Sequence, residues 1–193
     1  MARPVARRLA VYGTAAAVLA ADQLSKYLVV RNLAGRPPLR LIGSLVELRY
    51  ATNSGGAFSL LTGAPLFFAL MAVVVIGGIL YAGRHARGLP VQLALGLLLG
   101  GAVGNLLDRL LRGEVPLRGE VVDFIKVGWW PVFNLADSCI VVGGLLLALL
   151  LGRAERAAGA GPAPTGDLPE PTDGVDRGNN PQARSRPTVT PGD

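Results

Sequence analysis

Two aspartates stand in apolar surroundings: Asp123 within Val121-Val122-Asp123-Phe124-Ile125, and Asp137 within Phe133-Asn134-Leu135-Ala136-Asp137-Ser138. Asp137 has no basic neighbour at helical spacing, and Asp123 has none four positions away. Two carboxylates held close at low dielectric cannot both ionise cheaply, so they share a proton and titrate as a coupled pair. Such a pair suits peptide hydrolysis. The ionised member takes a proton from water, while its protonated partner polarises the scissile carbonyl and then helps protonate the leaving amine, with no metal or cofactor required. The chain between the two acids is long enough to fold back and bring the carboxyls together. Spacing alone admits a second reading, in which Asp123 is an ordinary surface acid and Asp137 a helix-start acid favoured by the dipole.

The other polar residues divide differently. Asp22 and Lys26 lie four positions apart in the acid-first order that suits a helix face, and an internal ion pair that lets both enter a membrane explains them without catalysis. Gly96, Gly100 and Gly104 form a ridge of small residues along which a neighbouring helix can approach. Beyond that ridge Asn105, Asp108 and Arg109 cluster at a helix end, where an acid–arginine network reads as a scaffold. Cys139 and His85 are the only residues of their types, which excludes an intrachain disulfide and a cysteine metal cluster. Their predicted positions toward opposite membrane faces also exclude a Cys–His nucleophile.

The elements that must position these residues are membrane helices. A chain of 193 residues that is 51% hydrophobic and 17% charged is too apolar for an ordinary soluble domain. Four stretches long enough to span a bilayer fall at residues 9–30, 65–82, 89–111 and 132–151. A cleavable signal is disfavoured for the first, because its apolar run is long and carries Asp22 and Lys26. An aspartate at the bilayer centre costs on the order of 2.5 to 3.5 kcal/mol, so each one needs a reason to be there. Trp129, Trp130 and Pro131 read as an interfacial belt leading into the fourth helix, which places Asp137 about 9 Å inside its start at 1.5 Å per residue. Residues 46–50, Val-Glu-Leu-Arg-Tyr, alternate as a strand does. Residues 1–151 thus form the membrane domain, and residues 152–193, rich in Pro and Gly, are expected to be a disordered cytoplasmic tail.

Four spans place both termini on one side. Basic residues near the two faces almost balance, but Arg3, Arg7 and Arg8 group tightly and the turn at residues 83–88 is short and basic, so both termini are expected in the cytoplasm. The net charge of +6 is spread over membrane flanks and tail instead of forming one face, which points to anionic lipid and away from nucleic acid.

Five short segments, in order, resemble the motifs of the lipoprotein signal peptidase family (signal peptidase II, aspartyl peptidase family A8). They are Asp22 with Lys26; Asn53-Ser54-Gly55-Gly56-Ala57-Phe58; Gly104-Asn105-Leu106-Leu107-Asp108-Arg109; Val121-Val122-Asp123-Phe124; and Phe133-Asn134-Leu135-Ala136-Asp137-Ser138. The resemblance covers roughly residues 9–151 and departs from the family at Gly56, where alanine is common. It implies an α-helical integral membrane protein of the bacterial cytoplasmic membrane, with four transmembrane helices and a small extracytoplasmic β-cradle between helices 1 and 2. It implies Asp123 and Asp137 as the catalytic pair near the extracytoplasmic face. Asn53, Gly55, Asn105, Arg109 and Asn134 would shape the substrate site, with Asp22, Lys26 and Asp108 in support. The implied substrate is a diacylglyceryl-modified prolipoprotein, cut on the amino side of its lipidated cysteine. A transporter would instead spread its acids through the bilayer depth, and a non-catalytic scaffold of the same shape would fail an activity assay.

Overall fold

A computed structural model describes residues 3–55 and 65–159. Gly56, Ala57 and Phe58 of the second motif, and the tail from residue 160, lie outside the described residues. The chain order is α1 (Arg3–Leu33), β1 (Leu39–Ile42), β2 (Val46–Asn53), α2 (Pro65–His85), α3 (Leu89–Leu111), β3 (Val121–Val127) and α4 (Leu135–Gly159). Among the described residues three helices are both long and apolar enough to cross a membrane: α2, α3 and α4. The α1 helix has the length, at 31 residues, but Asp22, Gln23, Ser25 and Lys26 interrupt its apolar run.

The α3 helix is the hub, packing against α1, α2 and α4. Its glycines explain how. A Cβ on Gly96 would stand 2.6 Å from Thr14, one on Gly100 would stand 2.7 Å from the Ala15 carbonyl, and one on Gly104 would stand 2.6 Å from the Asp22 carboxylate, so the predicted ridge is the seam on which α1 lies. On the adjacent side a Cβ on Gly101 would stand 2.5 Å from the Ala136 carbonyl of α4. Val11, Ala15, Ile79, Leu95 and Leu99 fill the space where α1, α2 and α3 meet. By contrast α2 buries only Ala69 and Ile79, and leaves Phe67, Leu70, Met71 and Val73 to Val75 exposed. A helix apolar on all sides yet so little covered by protein is a helix for a lipid solvent.

The sheet is larger than the sequence suggests. Beside the predicted strand β2 lie β1 on one side and β3 on the other, all antiparallel in the order β1-β2-β3. The cradle is therefore not confined to the connection between the first two helices, because β3 comes from the connection between α3 and α4. Val29 of α1 packs with Val122 and Phe124 beneath the sheet. A second difference concerns α4. It begins at Leu135, not near residue 132, because Phe133 is held by the backbone of Ile125 and Asn134 acts as the cap. Asp137 is consequently in the first turn and not about 9 Å deep. At its far end α4 continues past Leu151 to Gly159, into residues assigned by composition to the tail.

Candidate active site

Asp123 reaches the site because β3 is a strand. Its backbone is paired opposite Ala51 of β2, whose small side chain leaves room beside it, and Asn53 further along β2 donates its Nδ2 to Asp123 Oδ2 at 3.1 Å. Asn53 is itself fixed by a local turn, in which the Gly55 backbone N–H donates to Asn53 Oδ1 at 3.0 Å. With its oxygen engaged there, the amide nitrogen is the end presented to Asp123.

Asp137 reaches the same place from a helix start. Asn134 Oδ1 accepts from the Asp137 N–H at 2.9 Å, and Asp137 Oδ2 accepts from the Asn134 N–H at 3.2 Å, a reciprocal cap of the kind that Ser and Glu make in other helices. The Asn134 amide nitrogen then donates to Asp123 Oδ1 at 2.6 Å, so one residue, through its side chain and its backbone N–H, holds both carboxylates. Asn105 of α3 completes the set by donating Nδ2 to Asp137 Oδ1 at 2.7 Å.

Asp123 is 3% exposed, and its carboxyl is pushed up to about 6. Burial is the larger cause and the nearby Asp137 charge the second; the amides of Asn53 and Asn134, which bind the ionised form, and the more distant Lys26 charge oppose them. A carboxyl so raised can hold a proton near neutral pH and release it at little cost.

Below the acids lies a buried ionic cluster. Lys26 Nζ contacts Asp22 Oδ2 at 2.8 Å, Asp108 Oδ2 at 2.9 Å and Asn105 Oδ1 at 3.0 Å, with Lys26 and both carboxylates fully buried. The Asp22–Lys26 couple is thus an internal ion pair, as its spacing implies, but it extends across to α3. Arg112 Nε donates to Asp108 Oδ1 at 2.9 Å, and Gln23 bridges Asp22 and Asp108 at 3.2 Å each. Arg109, grouped with Asp108 by sequence, turns the other way. It lines the cavity, donates Nη1 to the Asn105 carbonyl at 3.1 Å and sits 5.8 Å over the Phe68 ring, while its Nε has no hydrogen-bond partner among the described residues.

Asn53, Gly55, Asn105, Arg109, Asp123 and Asp137 all line one cavity of about 590 Å³, walled on its other sides by Phe68, Trp130, Pro131, Phe133 and Val141. Asn134 is fully buried beneath it, and Asp22, Lys26 and Asp108 stand further back. The arrangement offers paired carboxyls, amide and guanidinium donors, and apolar walls. These can bind an extended chain through its backbone and activate water against it. Sequence reasoning missed Gln23 and Phe68, and also the backbone amides of Val122 and Ala136, which donate to Asp108 and Asp22. For Gln23 there was a signal, since it adjoins Asp22 in the interrupted part of α1; a backbone amide has no sequence signature.

The sequence profile of the family described as Signal peptidase (SPase) II matches residues 14–152. A lipoprotein signal peptidase of Rhodococcus jostii is 49% identical over 144 residues, covering 75% of this chain and 73% of that protein. One from Mycobacterium avium is 45% identical over 148 residues, covering 77% and 81%. Two solved structures of bacterial membrane enzymes are similar in fold. One has a TM-score of 0.65 at 28% identity over 75% of this chain and 88% of that one, and the other a TM-score of 0.61 at 30% identity over 72% and 89%. The matched residues 14–152 contain every side chain placed at the cavity and in the cluster below it, and the chain belongs to the signal peptidase II family of aspartic peptidases.

Proposed function

We propose that this protein is a bacterial membrane endopeptidase that removes the signal peptide from diacylglyceryl-modified prolipoproteins, cutting on the amino side of the lipidated cysteine, with Asp123 and Asp137 as its catalytic pair. The observation that carries the assignment is the shared grip of Asn134, which binds both carboxylates at the wall of one cavity. One acid of the pair is ionised and accepts a proton from water as the oxygen attacks the scissile carbonyl. The other gives its proton to the carbonyl oxygen, and the leaving amine takes a proton as the tetrahedral species collapses. Asn53, Asn105 and Asn134 hold the carboxyls in register for this, and Arg109 contributes its guanidinium to the cavity lining.

In this reading α1 is a fourth span, its polar residues hidden against α3, and both termini are cytoplasmic with the sheet and cavity at the opposite face. Such a position suits the substrate, because a signal helix ends there and acyl chains can stay in lipid while the cut bond reaches water. The scattered arginines face anionic headgroups, not nucleic acid.

The test is cleavage of a lipidated prolipoprotein in membranes by the wild type and by Asp123→Asn and Asp137→Asn. Each variant should accumulate normally and lose at least about 1,000-fold in rate, in keeping with removal of one half of a coupled acid–base pair. Normal cleavage by either variant would sink the pair.

A further inference from the structure

We infer that Lys26 is a positioning residue for the proposed catalytic pair, through a buried three-way clasp that fixes the backbone of both aspartates. The inference rests on the assignment of Asp123 and Asp137 above. An ion pair whose purpose is neutralisation needs one acid, and Asp22 suffices. Lys26 instead spends its three N–H donors on three acceptors: Asp22, Asp108 and the Asn105 side-chain oxygen.

Each acceptor passes the restraint to the site. Asp22 Oδ1 accepts the N–H of Ala136 at 3.0 Å, the residue before Asp137. Asp108 Oδ2 accepts the N–H of Val122 at 3.2 Å, the residue before Asp123. Asn105 gives its nitrogen to Asp137 itself. Lys26 and the Asn134 amide nitrogen, the latter at 3.2 Å, both engage Asn105 Oδ1 and so leave its NH2 group toward Asp137, where a carboxylate needs a donor. Lys26 is fully buried and does not line the cavity, so it touches no substrate. Its effect is the relative placement of β3 and the start of α4, which are otherwise joined locally by the backbone pairing of Ile125 with Phe133 and by the Asn134–Asp123 hydrogen bond.

The experiment is steady-state cleavage of a lipidated prolipopeptide by purified enzyme in lipid, normalised to active folded protein by binding of a non-cleavable substrate analogue. Two variants are compared with the wild type: Lys26→Met, and the charge-balanced Asp22→Asn/Lys26→Met, which keeps an oxygen for the Ala136 N–H. Both should lose about 100-fold in kcat per folded molecule, the scale expected of a misplaced catalytic group, with KM within about threefold of wild type. The pH–rate profile should be displaced as well. A purely structural lysine would lower yield alone, so wild-type kcat and an unmoved profile per folded molecule in either variant overturns the inference. The wild-type chain supplies a check that needs no variant. The amide protons of Val122 and Ala136 should exchange as slowly as those inside α3, and fast exchange at either would break the clasp. If Asp123→Asn or Asp137→Asn remains active, the pair itself is wrong; if they are inactive while the Lys26 variants are normal, only the clasp is.

Discussion

Asn134 divides its amide between two tasks. The oxygen caps α4 by accepting the Asp137 N–H, and the nitrogen holds Asp123. Its motif neighbours could be read from the sequence as a segment, but the division could not, because it depends on β3 arriving from the other side. The same approach of strand to helix start creates the electrostatics of Asp123. A carboxyl raised from 3.8 to about 6 means the folded chain keeps a proton that the unfolded chain releases earlier. The contribution of this group to stability is therefore whole below the ordinary carboxylate range and is lost as pH rises through about 6. Asp123→Asn cannot titrate there. Whatever the constant offset between the two proteins, thermal melts should move in favour of the wild type as pH falls from 8 through 6 toward 4, and parallel melting curves across that range would contradict the shift.

At the scale of elements, the seam of α3 makes the sharpest prediction. Gly104→Ala would drive a methyl group against the Asp22 carboxylate, whereas Gly77→Ala on α2 meets nothing within 4 Å. The first should cost about 1–3 kcal/mol of stability and most of the activity, through displacement of Asp22, and the second should be neutral or slightly stabilising. Thermal melting with the cleavage assay checks both, and equal behaviour of the two would refute the close approach. The glycine ridge could be read from sequence because its period is that of a helix. The strand β3 could not. Val121-Val122-Asp123-Phe124-Ile125 is an apolar run with one acid, which neither alternates nor repeats helically, and it becomes a strand by pairing with residues about seventy positions earlier. The start of α4 was misplaced for a related reason: Trp129, Trp130 and Pro131 look like a helix entrance, but Phe133 still pairs with Ile125 and delays the first turn.

For the whole molecule, the proposed topology puts the turn between β1 and β2 outside and the turn between α2 and α3 inside. Ser44 and Arg87 are exposed at these two places. In a Cys139→Ala background, Ser44→Cys should react with a membrane-impermeant maleimide in intact spheroplasts, and Arg87→Cys should react after the membrane is opened. The reverse pattern would invert the topology. Helix order and the span-length apolar runs of α2, α3 and α4 were accessible from hydropathy because bilayer thickness sets a length that composition reveals. The cavity was not, since its walls come from four separate stretches of chain.

The bond from Ala136 to Asp22 joins residues 114 positions apart, the first helix to the last. On the ribosome, α1 emerges long before α4 exists, and it carries an acid and a lysine whose other partners are still unmade. The proposed catalytic arrangement therefore needs both ends of the chain. With Asp123 and Asp137 as the proposed pair, a nascent chain that has delivered Asp22, Asn53, Asn105 and even Asp123 still lacks one of its two acids until the final helix docks and its first turn is captured.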